Sequence, residues 1–271
     1  MAGEKVPLLD PELEFAIATV RSAGAIVLGY FHSSYTIRHK SKDNPVTSAD
    51  LAADKYLKET LIRQFPDDGW LSEETADSPQ RLNRKRVWVV DPLDGTKEFV
   101  RGLPEFAISV ALVEGAEPRI AVVYNPARDD LFAAAKNRGA CRGGSIIRVS
   151  AQTELQGSNI FVSRSEHSKR LFGSLQECTS VRSIGSIAYK LALVAAGEAD
   201  LSISIRPKSE WDVCAGALLV QEAGGMVTDL NGCRLEFNRR IPSVEGIVAA
   251  NGTLHSLAME WISQKHRGGI A

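Results

Sequence analysis

Residues 87–90, Val-Trp-Val-Val, run straight into Asp91-Pro92-Leu93-Asp94-Gly95-Thr96. The apolar, β-branched run reads as a buried strand. It ends in two carboxylates three residues apart, set in a Pro/Gly turn. Pro92 fixes its own φ, and Gly95 permits a positive φ or a close backbone approach. Such a turn can aim Asp91, the Leu93 carbonyl and Asp94 at one point. Oxygen donors grouped in this way suit hard cations such as Mg²⁺, Mn²⁺ or Ca²⁺. The amides of Gly95 and Thr96 follow at once and can receive a phosphate oxygen. Taken alone, the same residues also make an ordinary turn with solvated acids, so the rest of the chain has to decide.

Ahead of this turn, Leu13, Ile17, Val20, Gly24, Val27 and Phe31 recur at steps of four and three, which predicts an amphipathic helix from Pro11 to about Phe31. A polar stretch, Ser33 to Pro45, leads to a second helix opened by the capping-box pattern Thr47-Ser48-Ala49-Asp50. Asp50 shares a face with Ala53, Leu57 and Leu61, so an acid sits on the inward stripe, as a cap or as a functional group. Trp70-Leu71-Ser72-Glu73-Glu74-Thr75 is an apolar stub ending in adjacent acids. After the central turn, Ala107 to Val113, Arg119 to Tyr124 and Leu131 to Ala135 predict strands of one antiparallel meander.

The Gly-, Ser- and Thr-rich stretch from Gly143 to Gln156 marks an expected boundary between an N-terminal α+β domain, residues 1–148, and a C-terminal α/β domain, residues 149–271. Beyond it, strands at Asn159–Val162, Leu201–Ile205, Met226–Leu230 and Gly246–Ala250 are expected to alternate with helices. The helices are placed at Ile187–Ala196, stopped by Gly197, at Trp211–Glu222, closed by Gly224-Gly225, and at Leu254–His266. An Asn231-Gly232 turn separates the last two strands.

A net charge of −1 with no basic stripe argues against nucleic acid or a membrane surface. The amino end lacks a charged segment followed by an apolar one, and no apolar run reaches the ~18 residues of a membrane span, so a cytoplasmic protein is expected. Cys141, Cys178, Cys214 and Cys233 have no paired spacing and read as free thiols. None of the five histidines has ligand spacing.

Five acids therefore stand at element ends or first turns: Asp50, Glu73, Asp91, Asp94 and Asp212. Asp212 lies in Ser209-Glu210-Trp211-Asp212, where a helix dipole also favours an acid. Converging carboxylates cannot all stay ionised without cations. With the amides of Gly95 and Thr96 alongside, a multi-metal phosphoryl site is the simplest reading.

These motifs resemble those of the inositol monophosphatase superfamily: Asp91 to Thr96, Trp211-Asp212 with Ala215-Gly216-Ala217 and Glu222 to Gly225, the upstream Ser72-Glu73-Glu74, and the helix acid Asp50. The resemblance implies an α/β chain folded as a layered αβαβα sandwich. It further implies a Mg²⁺-dependent, often dimeric and Li⁺-sensitive phosphomonoesterase, with Mn²⁺ as a substitute and Ca²⁺ inhibitory. By position, Glu73, Asp91 and the Leu93 carbonyl would hold one metal. Asp91, Asp94 and Asp212 would hold a second, and Glu73 would reach a third. Asp50 and Thr96 would orient and deprotonate the attacking water, and Gly95 and Thr96 would hold the phosphate.

Within the superfamily, Lys97-Glu98-Phe99 is similar to the 3′(2′),5′-bisphosphate nucleotidase branch rather than to the Thr-Asn-Phe of inositol monophosphatases. Ile205 stands seven residues before Asp212, where inositol phosphatases usually carry a Glu for ring hydroxyls. A second phosphate needs a cation, and Lys190, Arg206 and Lys208 are available. Ser163-Arg164-Ser165 resembles the same branch and is placed at a nucleoside pocket. The expected substrate is adenosine 3′,5′-bisphosphate. Inositol-1-phosphate or fructose-1,6-bisphosphate hydrolysis is the alternative, and a regulatory protein that kept the fold without catalysis is a third possibility.

Overall fold

The computed structural model describes residues 10–41, 44–169, 172, 175 and 180–267; the readings of residues 1–9, of Cys178 and of the His266 side chain fall outside them. Helix α1, Pro11–Tyr30, begins where Asp10 accepts a hydrogen bond from the Leu13 amide at 3.2 Å. By length and composition alone it could cross a membrane, with a mean hydropathy of 1.3, which the sequence reading did not count. Its stripe of Leu13, Ala16, Val20, Ala23 and Val27 is fully buried in the N-terminal core, as in a core helix of a soluble protein.

The polar stretch after α1 is not a plain connector. Strands β1, Ile37–Ser41, and β2, Asn44–Thr47, pair antiparallel. Every residue of β1 is exposed, so no alternation of apolar residues announces it. Helix α2, Ser48–Gln64, carries the expected capping box, and Asp50, Ala53, Leu57 and Leu61 are buried along it.

Strand β3, Gly69–Ser72, lies parallel to β4, Arg86–Asp94. The short helix α3, Thr96–Val100, follows the central turn. Strands β5, Ala107–Glu114, β6, Glu117–Asn125, and β7, Asp130–Ala135, continue the predicted meander. Strands β8, Gly139–Arg142, and β9, Ser145–Ile146, extend it to seven strands. Trp88 and Val90 of β4 face α1 and α2, whereas Val87 and Val89 face the opposite core, so residues 87–90 are apolar at every position.

The second half supplies β10, Asn159–Val162, α4, Arg164–His167, β11, Ser180–Ser183, α5, Ile187–Ala195, and β12, Leu201–Ser204. Then come β13, Lys208–Ser209, α6, Glu210–Glu222, β14, Met226–Thr228, β15, Ser243–Val244, β16, Ile247–Ala250, and α7, Gly252–Arg267. Five of these strands form a second sheet in the order β11-β10-β12-β16-β14, with the first three parallel. The Asn231-Gly232 turn is not a tight hairpin. The Asp229 carboxylate accepts the Asn231 and Cys233 amides at 2.8 and 2.9 Å, and β15 intervenes before β16.

Helices α5 and α6 fill the space between the two sheets, and α7 covers the far face of the second. The layers run helix, sheet, helix, sheet, helix, as the resemblance implied. Cys141 and Cys214 are buried free thiols, and Cys233 is an exposed one.

The inner helices touch closely at Gly216, where an added Cβ would lie 2.5 Å from the Leu191 Cβ. Gly216→Ala is therefore expected to lower stability by about 1–3 kcal/mol, as overpacking does. Urea unfolding measures it, and an unchanged midpoint would contradict this close packing.

Candidate active site

The β4 ladder breaks between Asp91 and Asp94, so the strand end bends out of register. Asp91 Oδ1 accepts the Leu93 amide at 2.9 Å and fixes the turn. Gly95 closes it at φ +98°, and an added Cβ would meet the Glu105 carbonyl at 2.8 Å, so both conformation and space demand glycine. Thr96 Oγ1 lies 2.9 Å from Asp50 Oδ1 and 3.1 Å from the Leu93 carbonyl. Asp50 Oδ2 in turn accepts the Thr47 amide at 2.8 Å and the Thr47 hydroxyl at 2.5 Å.

Glu73 comes off the end of β3, its amide 3.3 Å from the Val90 carbonyl. Asp212 stands in the first turn of α6, where its Oδ2 accepts the Ser209 amide at 3.1 Å. Asp94 Oδ2 takes the Ser186 hydroxyl at 2.6 Å and the Ala188 amide at 2.7 Å. Carboxylate oxygens of Glu73, Asp91 and Asp212 lie within 4.8 Å of one another. Asp91 Oδ2 is buried with no hydrogen-bond partner. A buried carboxylate oxygen left without a donor, facing two further carboxylates, fits a hard cation.

Electrostatics point the same way. Burial first, then the charges of Glu73, Asp94 and Asp212, pushes the Asp91 carboxyl well above the usual range. Burial and the charges of Asp94 and Glu73 do the same to Asp212. Asp94 is raised to about 6 by burial, against the pull of the Ser186 and Ala188 bonds. Burial also raises Asp50, although its bonds from Thr47 and Thr96 oppose the shift.

These groups border a cleft of about 510 Å³. Glu73, Asp91, Leu93, Asp94, Gly95 and Thr96 line it, joined by Asp212, Ser163 and Lys190. Asp50 is buried behind Thr96 and reaches the cleft through that hydroxyl. Lys190 is 3% exposed rather than solvated, and its Nζ donates to the Ile184 carbonyl at 3.1 Å. Arg206 is exposed and does not line the cleft, whereas Lys208 does. Ile205 packs against the core of the second sheet instead of the cleft.

Two carboxylates near the cleft, Asp54 and Glu166, escaped the sequence reading, and Glu74, quoted there within the acidic motif, was given no role of its own. Asp54, one turn after Asp50 on α2, accepts the Ser72 hydroxyl and, at 2.7 Å, the Thr75 hydroxyl, and so anchors the Glu73-Glu74 segment. The spacing from Asp50 could have flagged it. Glu74, raised to about 7 chiefly by burial, shares the Lys40 ammonium with Glu73 at 2.7 and 3.0 Å. Glu166 is fully buried and accepts the Ser163 and Ser204 hydroxyls and the Ile205 and Arg206 amides. The spacing Ser163-Arg164-Ser165-Glu166 marks Glu166 only as a helix cap, whereas its bonds to Ser204, 38 residues away, have no local signal.

Residues 8–267 match the inositol monophosphatase family. A Nus factor SuhB of Xylella fastidiosa is 37% identical over 82% of this chain and 83% of its own. Inositol monophosphatase 2 of Solanum lycopersicum is 35% identical over 86% of this chain and 92% of its own. Among solved structures, the Thermotoga maritima IMPase superposes with a TM-score of 0.85 at 30% identity, covering 94% of this chain and 98% of that one. The chain belongs to the inositol monophosphatase family and is a metal-dependent phosphomonoesterase.

Proposed function

We propose that the chain is a 3′(2′),5′-bisphosphate nucleotidase, which cleaves adenosine 3′,5′-bisphosphate to AMP and phosphate. The observation that carries this reading is Lys190, a buried ammonium that lines the cleft beside Asp94 and, among the described residues, has only the Ile184 carbonyl as its hydrogen-bond acceptor. A buried cation without a paired carboxylate is costly unless an anion joins it. Lys208, which lines the same cleft, adds a second positive charge. The apolar packing of Ile205 leaves no carboxylate at the position where a polyol would be read.

On this reading Glu73, Asp91 and the Leu93 carbonyl would hold one Mg²⁺, Asp91, Asp94 and Asp212 would hold a second, and Glu73 would reach a third. Mg²⁺ held there would lower the pKa of a water and offset charge on the phosphoryl oxygens. Thr96 Oγ1 accepts a proton from the attacking water while its own hydroxyl donates to Asp50 Oδ1, which the raised Asp50 pKa suits as a proton store. The Gly95 and Thr96 amides receive a phosphate oxygen. Lys190 and Lys208 hold the second phosphate, and Ser163 borders the nucleoside. The family resemblance adds Mn²⁺ as a substitute, Li⁺ and Ca²⁺ as inhibitors, a homodimer and a cytoplasmic location.

A second reading, inositol monophosphatase, is favoured by the name of the tomato relative. Lys190→Met separates the two. A charged hydrogen bond is worth about 1.5–3 kcal/mol, so KM for the bisphosphate should rise roughly 10- to 100-fold, with kcat changed less. Hydrolysis of inositol-1-phosphate should hardly change. Burial, with Lys208 nearby, lowers Lys190 to about 8, so the preference for two phosphates is present below that pH and fades above it. Equal KM values for variant and wild type would overturn the nucleotidase reading.

A further inference from the structure

Lys97-Glu98-Phe99 carries an acid whose use is not explained by substrate contact. Glu98 is buried, and Arg164 of α4 donates to its Oε1 at 3.1 Å. The same guanidinium donates through its other nitrogen to Glu105. Glu105 Oε2 also accepts the Gly185 amide at 3.0 Å. Gly185 sits so tightly here that an added Cβ would lie 2.3 Å from Glu98 Cγ and 2.8 Å from the Glu105 carbonyl. Two acids from the first half, one arginine from the second and a glycine backbone thus form one locked junction.

The next residue shows what the junction holds. Ser186 has φ +51°, a conformation costly for a side chain with a Cβ, which persists only where the surroundings over-determine it. In that conformation its hydroxyl donates to Asp94 Oδ2 and accepts the Tyr189 amide at 3.0 Å. The Ala188 amide, in the first turn of α5, donates to the same Asp94 oxygen. Both donors point at Oδ2, and Asp94 lines the cleft. Such bonds fix which oxygen a carboxylate presents to a cation.

The geometry points to Glu98, Glu105 and Arg164 as positioning residues that clamp the Gly185 turn onto Asp94, so that Ser186 and Ala188 hold one of its oxygens and turn the other towards the cation. The inference rests on Asp94 as a metal ligand. It gives Glu98 a role in metal affinity, distinct from contact with the nucleotide.

The test is Mn²⁺ binding to the full chain by titration calorimetry, with thermal melting alongside. Glu105→Leu removes the bonds to Gly185 and Arg164, and Glu98→Gln is the milder variant should the first fail to fold. Both are expected to weaken Mn²⁺ binding about tenfold or more, the effect of losing a group that orients a ligand. Tyr189→Phe serves as the control, because it removes a buried bond to Asp130 elsewhere on α5. It should lower the melting temperature yet keep the wild-type Mn²⁺ affinity. Wild-type affinity in both clamp variants, or equal weakening in Tyr189→Phe, would overturn the clamp. Asp94→Asn is run beside them. If it alone weakens binding, the clamp fails and the ligand assignment stands; if it binds Mn²⁺ like wild type, the assignment of Asp94 fails, and the clamp with it.

Discussion

Asp94→Asn should lose at least about a hundredfold in kcat, beyond the 10–100-fold typical of groups that merely orient a ligand, while the protein still folds. The amide keeps the size of the side chain and can still accept from Ser186 and Ala188 through its carbonyl oxygen. What it loses is the charge that the acid cluster offers to a cation. Circular dichroism should match wild type, and steady-state phosphate release reads the loss. Turnover within a few-fold of wild type would remove Asp94 from the metal site.

Removing the metal should cost stability, and the cost should grow with pH. Asp91, Asp94 and Asp212 have folded pKa values raised above their ordinary value near 3.8. From about pH 4 upwards the unfolded chain gives up these protons before the folded one does, so the folded state binds more protons. Stability then falls as pH rises above about 4, through about 6 for Asp94, with Asp91 and Asp212 shifted in the same direction. In chelator, the melting temperature should therefore drop between pH 4 and pH 7. Adding Mg²⁺ at a hundredfold excess over its Kd should restore about 2.7 kcal/mol for each independent site. Asp91→Asn, which removes the most crowded charge, should melt higher than wild type at pH 7 in chelator. A melting temperature indifferent to both pH and Mg²⁺ would mean that the acids do not share a strained site.

Much of this site is readable from local chemistry. The five acids stand out because each sits where a strand ends or a helix begins, and there the neighbouring Pro, Gly, Ser and Thr residues announce the turn. Both capping boxes form as spaced, at Thr47 with Asp50 and at Ser209 with Asp212. The strands of the meander were visible for the reason that they fold: runs of apolar residues buried on both faces. What escaped has no local signal. The β1–β2 hairpin buries no face along β1, so its residues look like linker. Arg164 meets Glu98 and Glu105 across 66 and 59 residues, and only the packed layers bring them together. Arg206 and Lys208 are equivalent as cations in the sequence, and only the folded chain shows that Lys208 borders the cleft.

Phosphate release tests the central claim most directly. Adenosine 3′,5′-bisphosphate, inositol-1-phosphate and fructose-1,6-bisphosphate are compared side by side, with Mg²⁺ and with chelator. The nucleotidase reading predicts that kcat/KM is highest for the nucleotide, by about tenfold or more if Lys190 contributes one charged bond to the second phosphate, and that chelator abolishes release from all three. Preference for inositol-1-phosphate would contradict it, leaving the metal-dependent phosphatase in place and the role of Lys190 without support.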